Sequence, residues 1–216
     1  LRWLDRAPDE APFFLFAAYM DPHDPYFEHP YRGPGYARAT HQEPRPDEAD
    51  HLRRLYDGEI TYWDEQFGRL VAELKRRGLY DQLTIVVTAD HGEEFMDHGG
   101  FWHGTTLYDE QVRVPLLVKL PFASRGGEVV TEWSQSIDLM PSLLRANDVP
   151  PVEGVQGRND LLDVGFLGAT DVFAEESHEG NVLRSLRARR GSSEVKVITA
   201  NAGNPPRADI GMCGHS

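Results

Sequence analysis

The chain has one cysteine, Cys213, in 216 residues. No internal disulfide can form. There is no run near the ~20 apolar residues of a membrane span, no signal peptide at the start, no internal repeat and no low-complexity stretch. Basic charge is scarce: 22 Lys and Arg against 35 Asp and Glu leave a net charge of −13 at pH 7. Nucleic acid is excluded as the natural partner, because phosphate contacts need a basic surface. A cation suits that acidity better. Neither end has a natural boundary. Leu1-Arg2-Trp3-Leu4-Asp5-Arg6 reads as a helix already under way, and Met212 to Ser216 has no periodicity. The expectation is a piece of a larger polypeptide, clipped at both ends. What remains is ordinary: 40% hydrophobic and 26% charged residues, long enough for one large domain with a real core.

The stretch that organises the rest is Val86-Val87-Thr88-Ala89-Asp90-His91-Gly92-Glu93-Glu94. The β-branched residues Thr84 to Thr88 favour a strand, and Gly92 permits a sharp turn. The strand therefore delivers a carboxylate and an imidazole to the end of a sheet, where ligands bind in open α/β folds. A carboxylate oxygen and an imidazole nitrogen together suit a divalent cation. The bland alternative makes Asp90 a helix cap and His91 a satisfied polar residue.

Around it, Phe13 to Met20 is apolar throughout and predicts a strand buried on both faces. It ends in Asp21-Pro22-His23-Asp24-Pro25-Tyr26, a loop stiffened by two prolines. Residues 27–47 read as a long surface loop. From about Asp47 to Arg77, apolar residues from Leu52 to Leu74 recur at spacings of three and four, which predicts a helix stopped by Gly78. Strand, loop, helix, strand implies a parallel crossover, with His23 and Asp90-His91 on one edge. Phe95 to Gly104 then packs two histidines, three glycines and two more aromatics around a loop. Thr105 to Gln111 is a short helix, Val114 to Leu120 a buried strand, Val129-Val130 a short strand and Ser136 to Asn147 a helix. Asp171–Glu175, Leu183–Arg189 and Val195–Thr199 form an antiparallel appendage.

These motifs, in this order, resemble the sulfatases of the alkaline-phosphatase superfamily. The carriers are Asp90-His91-Gly92-Glu93-Glu94, Asp97-His98-Gly99, the run from Gly104 through Tyr108 to Leu116, the Pro22-His23-Asp24-Pro25-Tyr26 loop and Ser136 to Leu144. The likeness covers roughly residues 1 to 200. It implies an alkaline-phosphatase-like α/β fold: a mixed, mainly parallel sheet flanked by helices, with a small antiparallel C-terminal part. Residues 1–150 are expected to be the C-terminal part of a catalytic domain, 151–203 the antiparallel strands and 204–216 an irregular tail.

The resemblance also implies roles. Asp90 and His91 are metal ligands, the ion being a divalent cation, first Ca2+, with Mn2+ or Zn2+ as alternatives. His23 and His103 bind the substrate and serve catalysis. Weighed by their own chemistry rather than by the resemblance, His98 orients a neighbouring group, Glu93 and Glu94 cap or form salt bridges, Trp102 and Tyr108 pack, Arg113 pairs structurally, and His29 and His41 lie on the surface. His91 stands where many sulfatases have asparagine, and His103 where many have lysine. The first looks more like the phosphonate and phosphate monoester hydrolases of the superfamily; the second leaves the transferred group open, and together they motivate the phosphate- and phosphonate-ester alternative. The Cys-x-Pro-Ser-Arg motif that supplies the family's formylglycine is absent; Cys213-Gly214-His215-Ser216 does not match it. The expected function is metal-dependent hydrolysis of small-molecule or glycan sulfate esters, with no turnover by this chain alone. The alternatives are a phosphomonoester, phosphodiester or phosphonate-ester hydrolase, and a non-catalytic relative. The compartment stays open, the periplasm or cell exterior suiting the parent protein, with the cytoplasm as the alternative.

Overall fold

A computed structural model describes residues 4–5, 12–30, 44–178 and 181–201. It divides into two compact units: Leu1–Trp102 with Val114–Gly126, and His103–Arg113 with Gly127–Ser216.

The first unit is built on α1 (Ala49–Arg76), 28 residues without a proline. Its end closes as a Schellman motif: the Gly78 N–H donates to the Lys75 carbonyl (3.0 Å) and the Leu79 N–H to the Leu74 carbonyl (3.0 Å). Leu74 is buried beside it. Next come β1 (Ile85–Thr88), β2 (Glu94–Phe95) and β3 (Phe101–Trp102). In the second unit α2 (Asp109–Val112) is a single turn. The chain then returns to the first unit as β4 (Leu116–Lys119). β4 runs antiparallel to β1, from Ile85 opposite Lys119 to Thr88 opposite Leu116. Lys119 ties the far end of this pair, its ammonium donating to the carbonyls of Leu83 (2.8 Å) and Asp81 (2.9 Å). At the near end the Thr88 hydroxyl donates to the Pro115 carbonyl (2.9 Å). The strand that leads into the Asp90-His91 turn is thus fastened at each of its ends. β2 and β3 pair antiparallel across a tight turn.

The rest of the second unit holds α3 (Leu139–Ala146), led in by a 3₁₀ turn at Ser136–Asp138, and the antiparallel meander β5 (Asp171–His178), β6 (Asn181–Arg190), β7 (Ser193–Ala200). Buried Asp138 organises its neighbourhood, accepting the Gln135 N–H (3.4 Å) and the Arg158 N–H (2.8 Å).

Four expectations change. Phe13 to Met20 is not a strand: residues 12–20 have no regular structure, with Phe14 75% and Phe16 80% exposed. Apolar composition announces surface that burial would favour, but a strand exists only where a neighbour completes its ladder. The parallel crossover inferred for it is accordingly not seen, and every ladder among the described residues is antiparallel. Val129 and Val130 are likewise irregular and exposed. The strand at Val114 to Leu120 forms over Leu116–Lys119, yet Leu117 is exposed rather than buried. The helix ending at Gly78 and the three C-terminal strands form as expected. His41 and residues 204–216 lie outside the described residues.

Candidate functional site

β1 ends at Thr88, and two residues later the backbone presents Asp90 and His91. The Asp90 carboxylate is almost wholly open to solvent. Its Oδ1 accepts the His91 N–H (3.1 Å) and lies 3.9 Å from His91 Nε2. His91 Nδ1 sits 2.8 Å from the Gly92 carbonyl oxygen. Two acceptors cannot bond, so Nδ1 carries the proton and Nε2 of the neutral ring is the lone-pair nitrogen, the arrangement of a metal-binding imidazole.

The His23 loop repeats this geometry. The His23 N–H donates to the Met20 carbonyl (3.1 Å), closing the turn. Its Nδ1 faces the Asp24 carbonyl oxygen (2.8 Å) and the Asp24 carboxylate (3.1 Å). The two imidazoles meet edge to face, with centroids 6.3 Å apart, and each offers a ring nitrogen within 4.8 Å of the other's. The His23 and His91 nitrogens suit Mn2+ or Zn2+, and Asp90, whose Oδ1 is 3.9 Å from His91 Nε2 but which lies outside the group of converging ring nitrogens, is the oxygen that would suit Ca2+.

Buried groups hold these loops. Tyr26 sits among the rings of Tyr56 (5.5 Å), Trp102 (5.9 Å) and Phe95 (6.1 Å). Its hydroxyl donates to Glu93 Oε2 at 2.5 Å. Burial first, and then the Glu93 charge, push the phenol far above the usual tyrosine range, so it remains a donor. Glu94, fully buried, accepts the N–H groups of Gly100 (2.7 Å) and His98 (3.2 Å) and so shapes the turn between β2 and β3. Arg53 of α1 reaches Asp97 in that turn (3.0 Å). Burial raises the Asp97 carboxyl, but the Phe95 N–H and the Arg53 hydrogen bond and charge outweigh it and hold the group below the usual range.

His29 is not the surface residue expected. Its Nε2–H donates to Glu59 at 2.5 Å and its ring stacks on Tyr62, 3.9 Å between centroids. Glu59, inside α1 and 1% exposed, also accepts the Phe27 N–H at 2.5 Å. Glu59, Tyr26 and Glu93 were outside the sequence-derived site. Only Glu59 carried a local signal: a glutamate three residues after Tyr56 and four before Trp63, within the apolar stripe of α1.

His103 follows Trp102 directly along the chain and opens the second unit. Within that unit the segment it leads is anchored by Asp109, which accepts from Arg187 and from Lys196 (2.7 Å). Arg187 also holds Glu194 (2.7 Å). Burial raises the Asp109 carboxyl, but hydrogen bonds and charge from Lys196 and then Arg187 prevail and hold it below the usual aspartate range. A depressed folded value contributes stability above the unfolded value, about 3.9, and loses it as pH falls through the folded one. The second unit is therefore expected to melt lower at about pH 3 than at pH 6. Asp109→Asn should flatten that difference in thermal melts at the two pH values, and an unchanged profile would refute the assignment.

With this geometry in view, comparison with known proteins is specific. The family model described as Sulfatase matches residues 1–149. The multifunctional alkaline phosphatase superfamily protein PehA of Trinickia caryophylli is 35% identical over 123 residues, 55% of this chain and 24% of that protein. An arylsulfatase of Clostridium perfringens is 26% identical over 192 residues, 74% of this chain and 40% of the relative. The structure of a phosphonate monoester hydrolase from Silicibacter pomeroyi superposes with a TM-score of 0.61 at 29% identity, covering 74% of this chain and 36% of the other. The chain thus spans well under half the length of these relatives. The fold is alkaline-phosphatase-like α/β with a small antiparallel sheet near the C-terminus.

Proposed function

The chain belongs to the sulfatase family, and from that premise we propose that it carries part of a metal-dependent hydrolase site for sulfate esters. The observation that supports this most is the convergence of His23 and His91, each imidazole with Nδ1 engaged by a carbonyl oxygen, with Asp90 Oδ1 3.9 Å from His91 Nε2. Asp90 and His91 Nε2 would hold the cation, Ca2+ first, with Mn2+ or Zn2+ as alternatives. When bound, the cation supplies charge neutralisation for the sulfate oxygens. His23 would donate a hydrogen bond to the sulfate or to the leaving oxygen, and His103 would share this work, supplying a proton to the departing alkoxide. These are the groups that bind, orient and protonate. The 216 residues hold no Cys-x-Pro-Ser-Arg run, so the chain alone is proposed to bind metal and ester without turnover. The substrate is proposed to be a small-molecule or glycan sulfate ester. Among the described residues no helix is long and apolar enough to cross a membrane.

A phosphonate- or phosphate-ester hydrolase is the second reading. Histidines at 91 and 103, where sulfatases commonly have asparagine and lysine, favour it. Unlike lysine, a histidine at 103 can act as general acid.

Titration of the 216-residue chain with Mn2+ and with Ca2+, by calorimetry, tests the site. Binding is expected, and Asp90→Ala or His91→Ala should each weaken it by at least about tenfold, since ligand loss exceeds the 10–100-fold cost of losing a supporting group. Unchanged affinity in both variants would overturn the metal assignment. Inhibition of that metal-loaded chain's binding to an aryl sulfate by a phosphonate monoester, or the reverse order of affinity, separates the two ester readings. A chain that binds neither ester supports the non-catalytic one.

A further inference from the structure

Two loops distant in sequence present the imidazoles, and their separation depends on whatever ties one loop to the other. A direct tie in the first unit is a hydrogen bond between neighbours of the imidazoles. Tyr26 lies three residues after His23, and Glu93 two residues after His91. The Tyr26 hydroxyl and Glu93 carboxylate meet at 2.5 Å, both residues 8% exposed. Three rings, Tyr56, Phe95 and Trp102, fix the phenol's position, so the hydroxyl has one place to reach. The loop's other side is fastened separately: Glu59 takes the Phe27 N–H and His29, which docks residues 27–29 on α1. The two anchors have different jobs. Glu59 fixes the loop to the helix, and Glu93 fixes it to the other histidine's turn.

We propose that Tyr26 and Glu93 are positioning residues whose hydrogen bond sets the spacing of His23 and His91, and so lets both ring nitrogens address one ion or one oxyanion. The proposal rests on the reading of these histidines as working groups. The spacing itself is measurable without that reading.

The test uses the full 216-residue chain with labelled histidine. The probe of spacing is the nuclear Overhauser contact between the His23 and His91 ring protons. The probe of use is Zn2+ alone, titrated by calorimetry. Tyr26→Phe keeps the ring and deletes the hydroxyl; Glu93→Leu deletes the acceptor; Glu93→Gln keeps an acceptor oxygen. The wild-type chain is expected to show the contact and bind zinc. Tyr26→Phe and Glu93→Leu should lose the contact and bind zinc about tenfold more weakly, the cost of losing a supporting group. Glu93→Gln should restore both. Gly154→Ala, which strains only the backbone of the other unit, should leave both at wild-type level and so controls for stability. Should Tyr26→Phe not fold, Glu93→Leu against Glu93→Gln carries the same comparison. The proposal is overturned if the Overhauser contact and zinc affinity persist without the hydroxyl or the acceptor, or if Glu93→Gln behaves as Glu93→Leu. If instead His91→Ala leaves metal binding untouched while Tyr26→Phe still loses the contact, the functional reading fails and the positioning stands.

Discussion

Glu59→Leu is expected to destabilise the first unit by about 3 kcal/mol, because a buried donor left without its acceptor costs about 1–3 kcal/mol and two donors lose theirs. Those donors are the Phe27 N–H and the His29 ring, each 2.5 Å from the carboxylate. Leucine fills similar volume in the apolar stripe of α1, so its burial offsets part of the loss but returns no hydrogen bond. In a chain of this size the change corresponds to a melting temperature lower by roughly 6–12 °C, at about 2–4 °C per kcal/mol. Glu59→Gln should cost clearly less, since an amide oxygen still accepts from one donor. Amide hydrogen exchange locates the effect: Phe27 should lose protection in Glu59→Leu while the Lys75 to Leu79 helix end keeps it. A Glu59→Leu chain that melts with the wild type would mean that water serves both donors equally well.

That glutamate lies at the edge of what the sequence makes legible. The bounds of α1 follow from the stripe Leu52 to Leu74 and the glycine after it, because helix periodicity and its terminator are local properties. The hairpins β5–β6–β7 follow from alternating runs broken by turns, for the same reason. Phe13 to Met20 fails because apolarity states a preference for burial without naming the partner strand. The site divides the same way. The place of Asp90 and His91, just past a strand end, was legible in a β-branched run that breaks at Gly92. The meeting of His23 with His91 rested on an inferred shared sheet edge and on the order of motifs. The supporting groups were not legible: Tyr26 and Glu93 are 67 positions apart, and nothing in either neighbourhood points to the other. Glu59 was the exception, since a carboxylate inside an apolar stripe must find buried donors or pay for its desolvation, and it finds two.

Gly157→Ala is expected to destabilise the second unit by about 4 kcal/mol, the sum of three losses each in the range of roughly 1–3 kcal/mol. Residue 157 has φ of +98°, a conformation that a β-carbon disfavours. That carbon would lie 2.3 Å from the Ile137 carbonyl oxygen, 2.8 Å from its carbon and 3.2 Å from the Asp138 Cα. All three are backbone atoms of the 3₁₀ turn that leads into α3, so no side chain can swing aside. The segment itself must move, and it is not free to do so. The next residue's N–H supplies the 2.8 Å hydrogen bond to the buried Asp138 carboxylate, and the Ser142 hydroxyl accepts the Leu161 N–H at 3.1 Å a few residues on. Displacing Gly157 pulls on both. Gly154→Ala provides the comparison: its φ is +84° but nothing lies within 4 Å of the added carbon, so it bears only the backbone strain of about 1–2 kcal/mol. Thermal melts of the two variants separate strain from collision. A Gly157→Ala chain no less stable than Gly154→Ala would mean that the Ile137–Asp138 turn yields to the methyl group at no cost, and that this turn does not hold the approach of residues 155–161 to α3.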